Sequence, residues 1–185
     1  MTTAAVVLAA GLGRRFDHPL GKLRAPARGR PLVAWALDAA AEAGIGEVLV
    51  VVGEDDLSDL LPAGARVVVN PDPAAGQATS LACGVRAARA AGHDAVVVGL
   101  ADQPGVPAEA WRRVAASPSP VATATFGGAR RPPVRLDAAV WPLLPQAGDE
   151  GARVLLRQRP DLVAEVPCPG DPTDVDTLED LERWT

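Results

Sequence analysis

Residues Ala5–Lys22 read A-V-V-L-A-A-G-L-G-R-R-F-D-H-P-L-G-K. The apolar run from Ala4 to Ala9 is rich in β-branched residues and stops at a glycine, which predicts a buried strand. It breaks into a loop carrying Gly11, Gly13, Arg14 and Arg15, with Lys22 a little further on. Glycines let backbone approach a ligand so that amides face anionic oxygens, and Arg and Lys add formal positive charge. The stretch therefore reads as a triphosphate loop. Two better-known phosphate loops do not fit it. The dinucleotide pattern G-x-G-x-x-G would need a small residue at Phe16. The P-loop pattern G-x-x-x-x-G-K-[ST] would need glycine at Phe16 and a hydroxyl at Leu23. Without support elsewhere, an ordinary strand-to-loop turn with surface arginines explains the stretch almost as well.

The 185 residues suffice for one α/β domain spanning 1–185, and the 48% hydrophobic content marks a folded chain. A net charge of −5 argues against nucleic-acid binding, so the loop arginines form a local positive site on an acidic protein. Cys83 and Cys168 make no metal or redox spacing and suit a reducing compartment. No apolar stretch reaches the length of a membrane span, and Met1–Thr3 do not open a signal peptide. The expectation is a cytoplasmic protein with no membrane partner.

Along the chain, a helix is expected from Arg30-Pro31 to Ala43, ahead of Gly44, then a strand over Glu47–Val52. A short helix over Asp55–Leu61 and a short strand over Val67–Val69 come next. The loop Asn70–Gly76 feeds a long helix from Gln77 to Ala91. Ala95–Leu100 is so apolar that it predicts a central strand. Pro107–Ala116 reads as a helix and Val121–Phe126 as a strand, followed by Gly127-Gly128 and the basic run Arg130-Arg131. Helices over Asp137–Leu144 and Gly151–Arg159, a strand over Leu162–Val166 and a terminal helix over Thr177–Trp184 complete the reading. Alternating strands and helices mean an α/β fold with a largely parallel sheet covered on both faces.

Four further constellations can carry chemistry. Asp102 follows the central strand, at the sheet edge where α/β proteins bind ligands, and can hold Mg²⁺ through oxygen; an aspartate before Gln103-Pro104 is equally at home as a turn residue. Asp174 and Asp176, two apart in an extended segment, can face one ion. Helix capping accounts for the same string through Thr177, with Asp180 at capping-box spacing, and the two uses are compatible. Gly76 and Ser80 open a helix and can face a base or ribose, though capping alone uses the same residues. Gly148–Arg153, G-D-E-G-A-R, is a tight turn whose arginine suits an anionic acceptor. His18 and His93 lack ligand spacing and read as surface residues, and the four tryptophans as packing residues.

Taken together, L-A-A-G-L-G-R-R-F with Lys22, A-G-Q-A-T-S-L-A-C-G, L-A-D-Q-P, G-D-E-G-A-R and D-V-D-T-L-E-D-L resemble the MobA-like nucleotidyltransferases, and within them the molybdenum-cofactor cytidylyltransferases. The resemblance implies a three-layer α/β/α Rossmann-like fold of the nucleotide-diphospho-sugar transferase type. It also implies transfer of a nucleotide from an NTP to a phosphate acceptor. By position, Ala9, Ala10, Gly11, Gly13, Arg15 and Lys22 would line the nucleotide, with Gly76 and Ser80 near base and ribose. Asp102 and Asp176 would hold Mg²⁺, and Lys22, Arg15 and Asp102 would serve catalysis. Arg131, Asp149 and Arg153 fall on the acceptor side. The Ala-Ala-Gly loop points to CTP, though other enzymes with that loop use UTP. The implied acceptor is molybdopterin cofactor, and the implied protein partner a molybdenum hydroxylase apo-enzyme. Two places depart from the family: Phe16-Asp17 stands where Met-Gly is frequent, and Arg131-Pro132-Pro133 where Gly-His-Pro is common. The first adds a carboxylate near the phosphates; the second, flanked by Arg130 and Arg135, makes the acceptor side unusually basic.

Overall fold

A computed structural model of the chain describes residues 2–13 and 16–184. Its centre is a seven-stranded sheet in the order β5-β4-β1-β6-β8-β7-β9. The strands are β1 (Thr3–Ala9), β4 (Val48–Val52), β5 (Arg66–Val69), β6 (Ala95–Leu100), β7 (Val121–Phe126), β8 (Ala129–Asp137) and β9 (Val163–Pro167). β8 alone runs against its neighbours, so the sheet is mostly parallel. β6 lies in the middle, as its unbroken apolar run predicts.

Side chains alternate across each strand, and here both faces are buried. Ala5, Val7 and Ala9 of β1 join Val48, Val50 and Val52 in one core. Helices α1 (Leu32–Glu42) and α3 (Ala108–Ala115) cover it. Ala4 and Val6 point the other way, with Leu49 and Val51, into a second core. That core is covered by α2 (Gln77–Ala90) and α4 (Arg153–Gln158). The result is three layers, α/β/α. Packing is tight where Trp111, 1% exposed, lies on β6 at Gly99: a Cβ there would stand 2.3 Å from the indole.

Several expected elements differ. Arg30-Pro31 does not begin the helix; it forms β3 and pairs with β2 (Pro26–Ala27) in a small hairpin before α1. Asp55–Leu61 yields only a 3₁₀ turn at Ser58–Leu60, and Asp137–Leu144 a 3₁₀ segment over Ala138–Leu143 containing Pro142. The largest difference is β8. Prolines are rare inside central strands because they cannot donate to the ladder, so Arg130–Arg135 does not read as one. In the fold the register with β7 jumps from Val134 to Arg131, and the bulge takes up Pro132-Pro133.

A third, smaller core matters for function. Phe16, Ala25, Ala27 and Leu32 pack with Val175 and Leu181 from the C-terminal segment, which ends in α5 (Leu178–Glu182). The link is reinforced where the Arg28 backbone N–H donates to the Trp184 carbonyl at 2.6 Å and the Arg28 guanidinium lies 4.9 Å over the Trp184 ring. The chain's last stretch is thereby folded back onto the segment after the glycine loop.

Candidate active site

β1 and β6 are parallel neighbours with Leu8 opposite Leu100, so the loops leaving both strands emerge at one edge. The Ala101 N–H donates to the Leu8 carbonyl and ties the two exits together. After β1 comes the glycine loop; after β6 comes Asp102. A cavity of about 460 Å³ opens between them. Its lining includes Ala9, Ala10, Gly11, Gly13, Lys22, Gly76 and Ser80, which the resemblance assigns to the nucleotide, and Asp102, which it assigns to the metal and catalysis. Arg15 lies outside the described residues. Asp17 is exposed and does not line the cavity, whereas Phe16 turns inward to the third core.

The third core also brings Asp176 to Lys22, because Phe16 and Ala25 bracket the lysine in sequence and Val175 and Leu181 bracket the aspartate. The Lys22 ammonium donates to Asp102 Oδ2 at 2.6 Å and to Asp176 Oδ1 at 2.8 Å. Burial opposes the ammonium charge, but the two carboxylates outweigh it and hold the Lys22 pKa above its ordinary value. Thr177 caps α5 in a reciprocal capping box with Asp180, leaving the Asp176 carboxylate for the lysine. Capping and charge pairing thus coexist.

Gln103, which carries no role of its own in the sequence beyond its place in the D-Q-P string, turns out to be structural to the site. It is 2% exposed, and its Nε2 donates to the Pro172 carbonyl at 3.0 Å and to Asp174 Oδ1 at 2.8 Å. The Val175 N–H donates to the Asp102 carbonyl, so the turn after β6 grips the C-terminal segment at several points. Asp174 Oδ1 is therefore committed to Gln103, within electrostatic reach of Asp102, Asp176 and Lys22. Burial, followed by the charge of Asp102, raises its pKa against the opposing hydrogen bond from Gln103.

Gly76 has a packing reason to be glycine. It sits at φ 104°, and a Cβ would lie 2.4 Å from the carbonyl carbon of Gly148. The turn containing Gly148 crosses the start of α2 here, with Ala78 N–H donating to the Gly148 carbonyl and Gly148 N–H to the Ala75 carbonyl. This crossing puts Asp149 into the glycine-loop cavity, apart from the Arg131 and Arg153 with which it was grouped on the acceptor side.

Those two arginines line a second cavity of about 530 Å³. It has Leu81, Val98, Leu100, Val134 and Leu156 among its apolar lining and Arg130, Arg131, Arg153 and Arg157 among its charges. It shares Leu8, Gln77 and Leu100 with the first. The antiparallel course of β8 puts the arginines there: Val134 pairs with Val98, so residues before it run past the carboxyl end of β6. Arg157 is committed to Glu150 and Arg130 to Glu165, whereas Arg131 and Arg153 make no ion pair among the described residues.

Asp102 and Asp176 already hold one cation between them, the ammonium, and offer two hard oxygen donors. Mg²⁺ is held in this way, by one or two carboxylates with substrate phosphates and water completing the shell. Among the described residues no group of three or more His, Cys, Asp or Glu is arranged to hold a metal. The residues present fit the substrate-assisted mode.

Residues 5–163 match the model of the MobA-like NTP transferase domain. The chain belongs to this family. It is 34% identical to nicotine blue oxidoreductase of Paenarthrobacter nicotinovorans, over 96% of this chain and 94% of that one. It is 33% identical to the purine catabolism protein PucB of Bacillus subtilis, over 96% and 93%. Among solved structures, Rv0371c from Mycobacterium tuberculosis superposes with a TM-score of 0.83 at 26% identity, covering 99% of this chain and 97% of that one. Rv0371c has also been solved in complex with manganese, and that structure matches at a TM-score of 0.79 and 25% identity, over 100% and 98%. The Rossmann-like α/β/α architecture and membership of a nucleotidyltransferase family are thereby established for this chain. No helix among the described residues is long and apolar enough to cross a membrane.

Proposed function

We propose that the protein transfers CMP from CTP to the phosphate of molybdopterin cofactor, with Mg²⁺, and releases pyrophosphate. The observation that carries the reading is the pair of adjoining cavities at one sheet edge, one walled by the glycine loop, Lys22 and Asp102, the other rimmed by arginine over an apolar floor. The first suits a triphosphate; the second suits a flat, phosphorylated acceptor. The Ala9-Ala10-Gly11 form of the loop supports cytosine.

In this reading the acceptor's phosphate oxygen attacks the α-phosphorus in line, and no general base is needed because the phosphate is already ionised. Transfers of this kind depend on positioning and charge neutralisation. Asp102 and Asp176 would hold Mg²⁺, which when bound supplies charge neutralisation to the phosphates. Loop amides at Gly11 and Gly13 and the Lys22 ammonium stabilise charge on the departing pyrophosphate, and Arg15 joins them on the evidence of sequence alone. Gly76 and Ser80 face the nucleotide, and Arg131 and Arg153 hold the acceptor phosphate. The setting is the cytoplasm, with a molybdenum hydroxylase apo-enzyme as recipient of the product.

Purified protein incubated with CTP, Mg²⁺ and molybdopterin cofactor should release pyrophosphate; no release with any of the four NTPs would sink the reading. Release with another phosphorylated acceptor would keep the chemistry and change the substrate, an outcome that Arg131-Pro132-Pro133 makes worth testing. Nucleotide binding without turnover on any acceptor would instead favour a cofactor-delivery protein. A second reading comes from the name of the Paenarthrobacter relative, an oxidoreductase matching nearly the whole chain. Oxidation or reduction of nicotine blue by the purified protein, with no pyrophosphate release from any NTP, would favour it.

A further inference from the structure

Asn70 is the first residue after β5 and is 2% exposed. Its backbone N–H donates to the Val52 carbonyl at 2.8 Å, fixing where the side chain starts. The amide orientation is then set by what surrounds it. The Asp72 N–H, 3.0 Å away, requires an oxygen, so Oδ1 faces Asp72 and Nδ2 faces α2. Nδ2 donates to two successive hydroxyls of that helix, Thr79 Oγ1 at 2.8 Å and Ser80 Oγ at 2.9 Å.

The two hydroxyls differ in what remains to them. Thr79 has acceptors for its own proton in the Gly76 carbonyl at 2.8 Å and the Asp72 carbonyl at 3.0 Å. Ser80 accepts from Asn70, and its proton finds no acceptor among the described residues. Ser80 is 5% exposed, so water meets little of it, and it lines the cavity of the glycine loop and Lys22. A sheltered hydroxyl with one lone pair committed and its proton unspent is a donor waiting for an acceptor.

We infer that Asn70 is a positioning residue for the nucleotide: its amide commits Ser80 to donate its proton into the cavity, to an acceptor atom on the bound base or ribose. The inference rests on the nucleotide reading of that cavity. Asn70 touches no ligand. It sets the polarity of the group that does.

Asn70→Asp separates this role from a structural one. The carboxylate keeps the Asp72 N–H bond and the shape of the side chain but has no proton to give, so both hydroxyls turn their protons towards it. Ser80 then presents lone pairs to the cavity. Calorimetric titration of CTP with Mg²⁺, and of GTP, UTP and ATP in parallel, should show binding of the preferred nucleotide weakened roughly five- to tenfold in Asn70→Asp. Ser80→Ala should lose the same factor, and the double variant should be no worse than either single one. Turnover should show a raised KM for the nucleotide with kcat nearly unchanged. Asn70→Ser, which removes the amide without adding charge, replaces the aspartate variant if that one does not fold, with the same non-additivity expected. Losses that multiply in the double variant, or an unchanged affinity in the folded Asn70 variant, overturn the inference while wild-type binding upholds the nucleotide site. If the wild type binds none of the four NTPs, the nucleotide reading falls and this inference falls with it.

Discussion

Replacing Lys22 by Met tests the centre of the site, because it removes one charge and little volume. The Lys22 side chain is 11% exposed, and its ammonium sits 2.6 Å from Asp102, whose side chain is 24% exposed, and 2.8 Å from Asp176, whose side chain is 38% exposed. A sheltered charged hydrogen bond contributes about 1.5–3 kcal/mol. The Asp176 half is more open to solvent and is discounted towards the ~0.2–1 kcal/mol of an exposed pair. An apolar side chain recovers part of the loss by avoiding the cost of burying the ammonium. The net expectation is a Lys22→Met variant less stable by about 2 kcal/mol in urea denaturation at neutral pH with chelator present. Both pH and metal should modulate that difference. The Lys22 pKa is raised in the folded protein, so its stabilisation is complete below its ordinary value of 10.5. The gap between wild type and variant should therefore close as pH rises through the higher folded value. A divalent cation should stabilise the variant more than the wild type, since the carboxylates are no longer occupied by the ammonium. Equal urea midpoints in chelator, or a larger cation effect on the wild type, would refute the assignment of Lys22 as the cation bridging Asp102 and Asp176.

Gly76→Ala forces a Cβ into the Gly148 backbone at a positive φ, and should cost about 2–4 kcal/mol in urea denaturation and abolish nucleotide binding measured by calorimetry. Arg131→Ala and Arg153→Ala should each raise the acceptor KM about tenfold in the pyrophosphate assay and leave the nucleotide KM alone. At the opposite sheet edge, the hydrogen bond from His93 Nε2 at 3.0 Å, working against burial and aided by Arg66, holds the Glu47 carboxyl below its ordinary 4.5. Its stabilisation is present above that value and lost as pH falls through the lower folded one. Glu47→Gln should lower neutral stability by no more than about 1 kcal/mol and flatten the acid limb of the urea midpoint against pH.

Much of this arrangement is legible from residues. The apolar runs of β1, β4 and β6 and the glycine after β1 give the layer order and the ligand edge, because periodicity and backbone freedom are local properties. Lys22, Asp102 and Asp176 can be nominated from their strings. What is not legible is long-range. β8 is hidden by Pro132-Pro133, whose exclusion from strands is overridden by a bulge that tertiary pairing imposes. Gln103 looks like turn punctuation because its partners, Pro172 and Asp174, are some seventy residues on. Asn70 looks like a loop residue because its amide network is closed by α2. Asp149 joins the glycine-loop cavity rather than the arginine one because the turn crosses α2 at Gly76, a contact no local string encodes.

The sheet and its flanking helices assemble the glycine loop, Asp102 and the arginine-lined cavity without assembling the whole site. Asp176, one of the two carboxylates on Lys22, comes after β9, the last strand. Completion falls to the C-terminal segment, which Gln103 grips at Pro172 and Asp174 and the third core grips at Val175 and Leu181. These anchors flank Asp176 closely on both sides, so the carboxylate is held by backbone on either side of it rather than swinging on a free tail. Phe16, the residue that disqualifies the glycine loop from two other phosphate motifs, is part of that anchor. A bulky residue at this position fastens the distant aspartate in place, and a small one would leave Val175 and Leu181 with less to pack against.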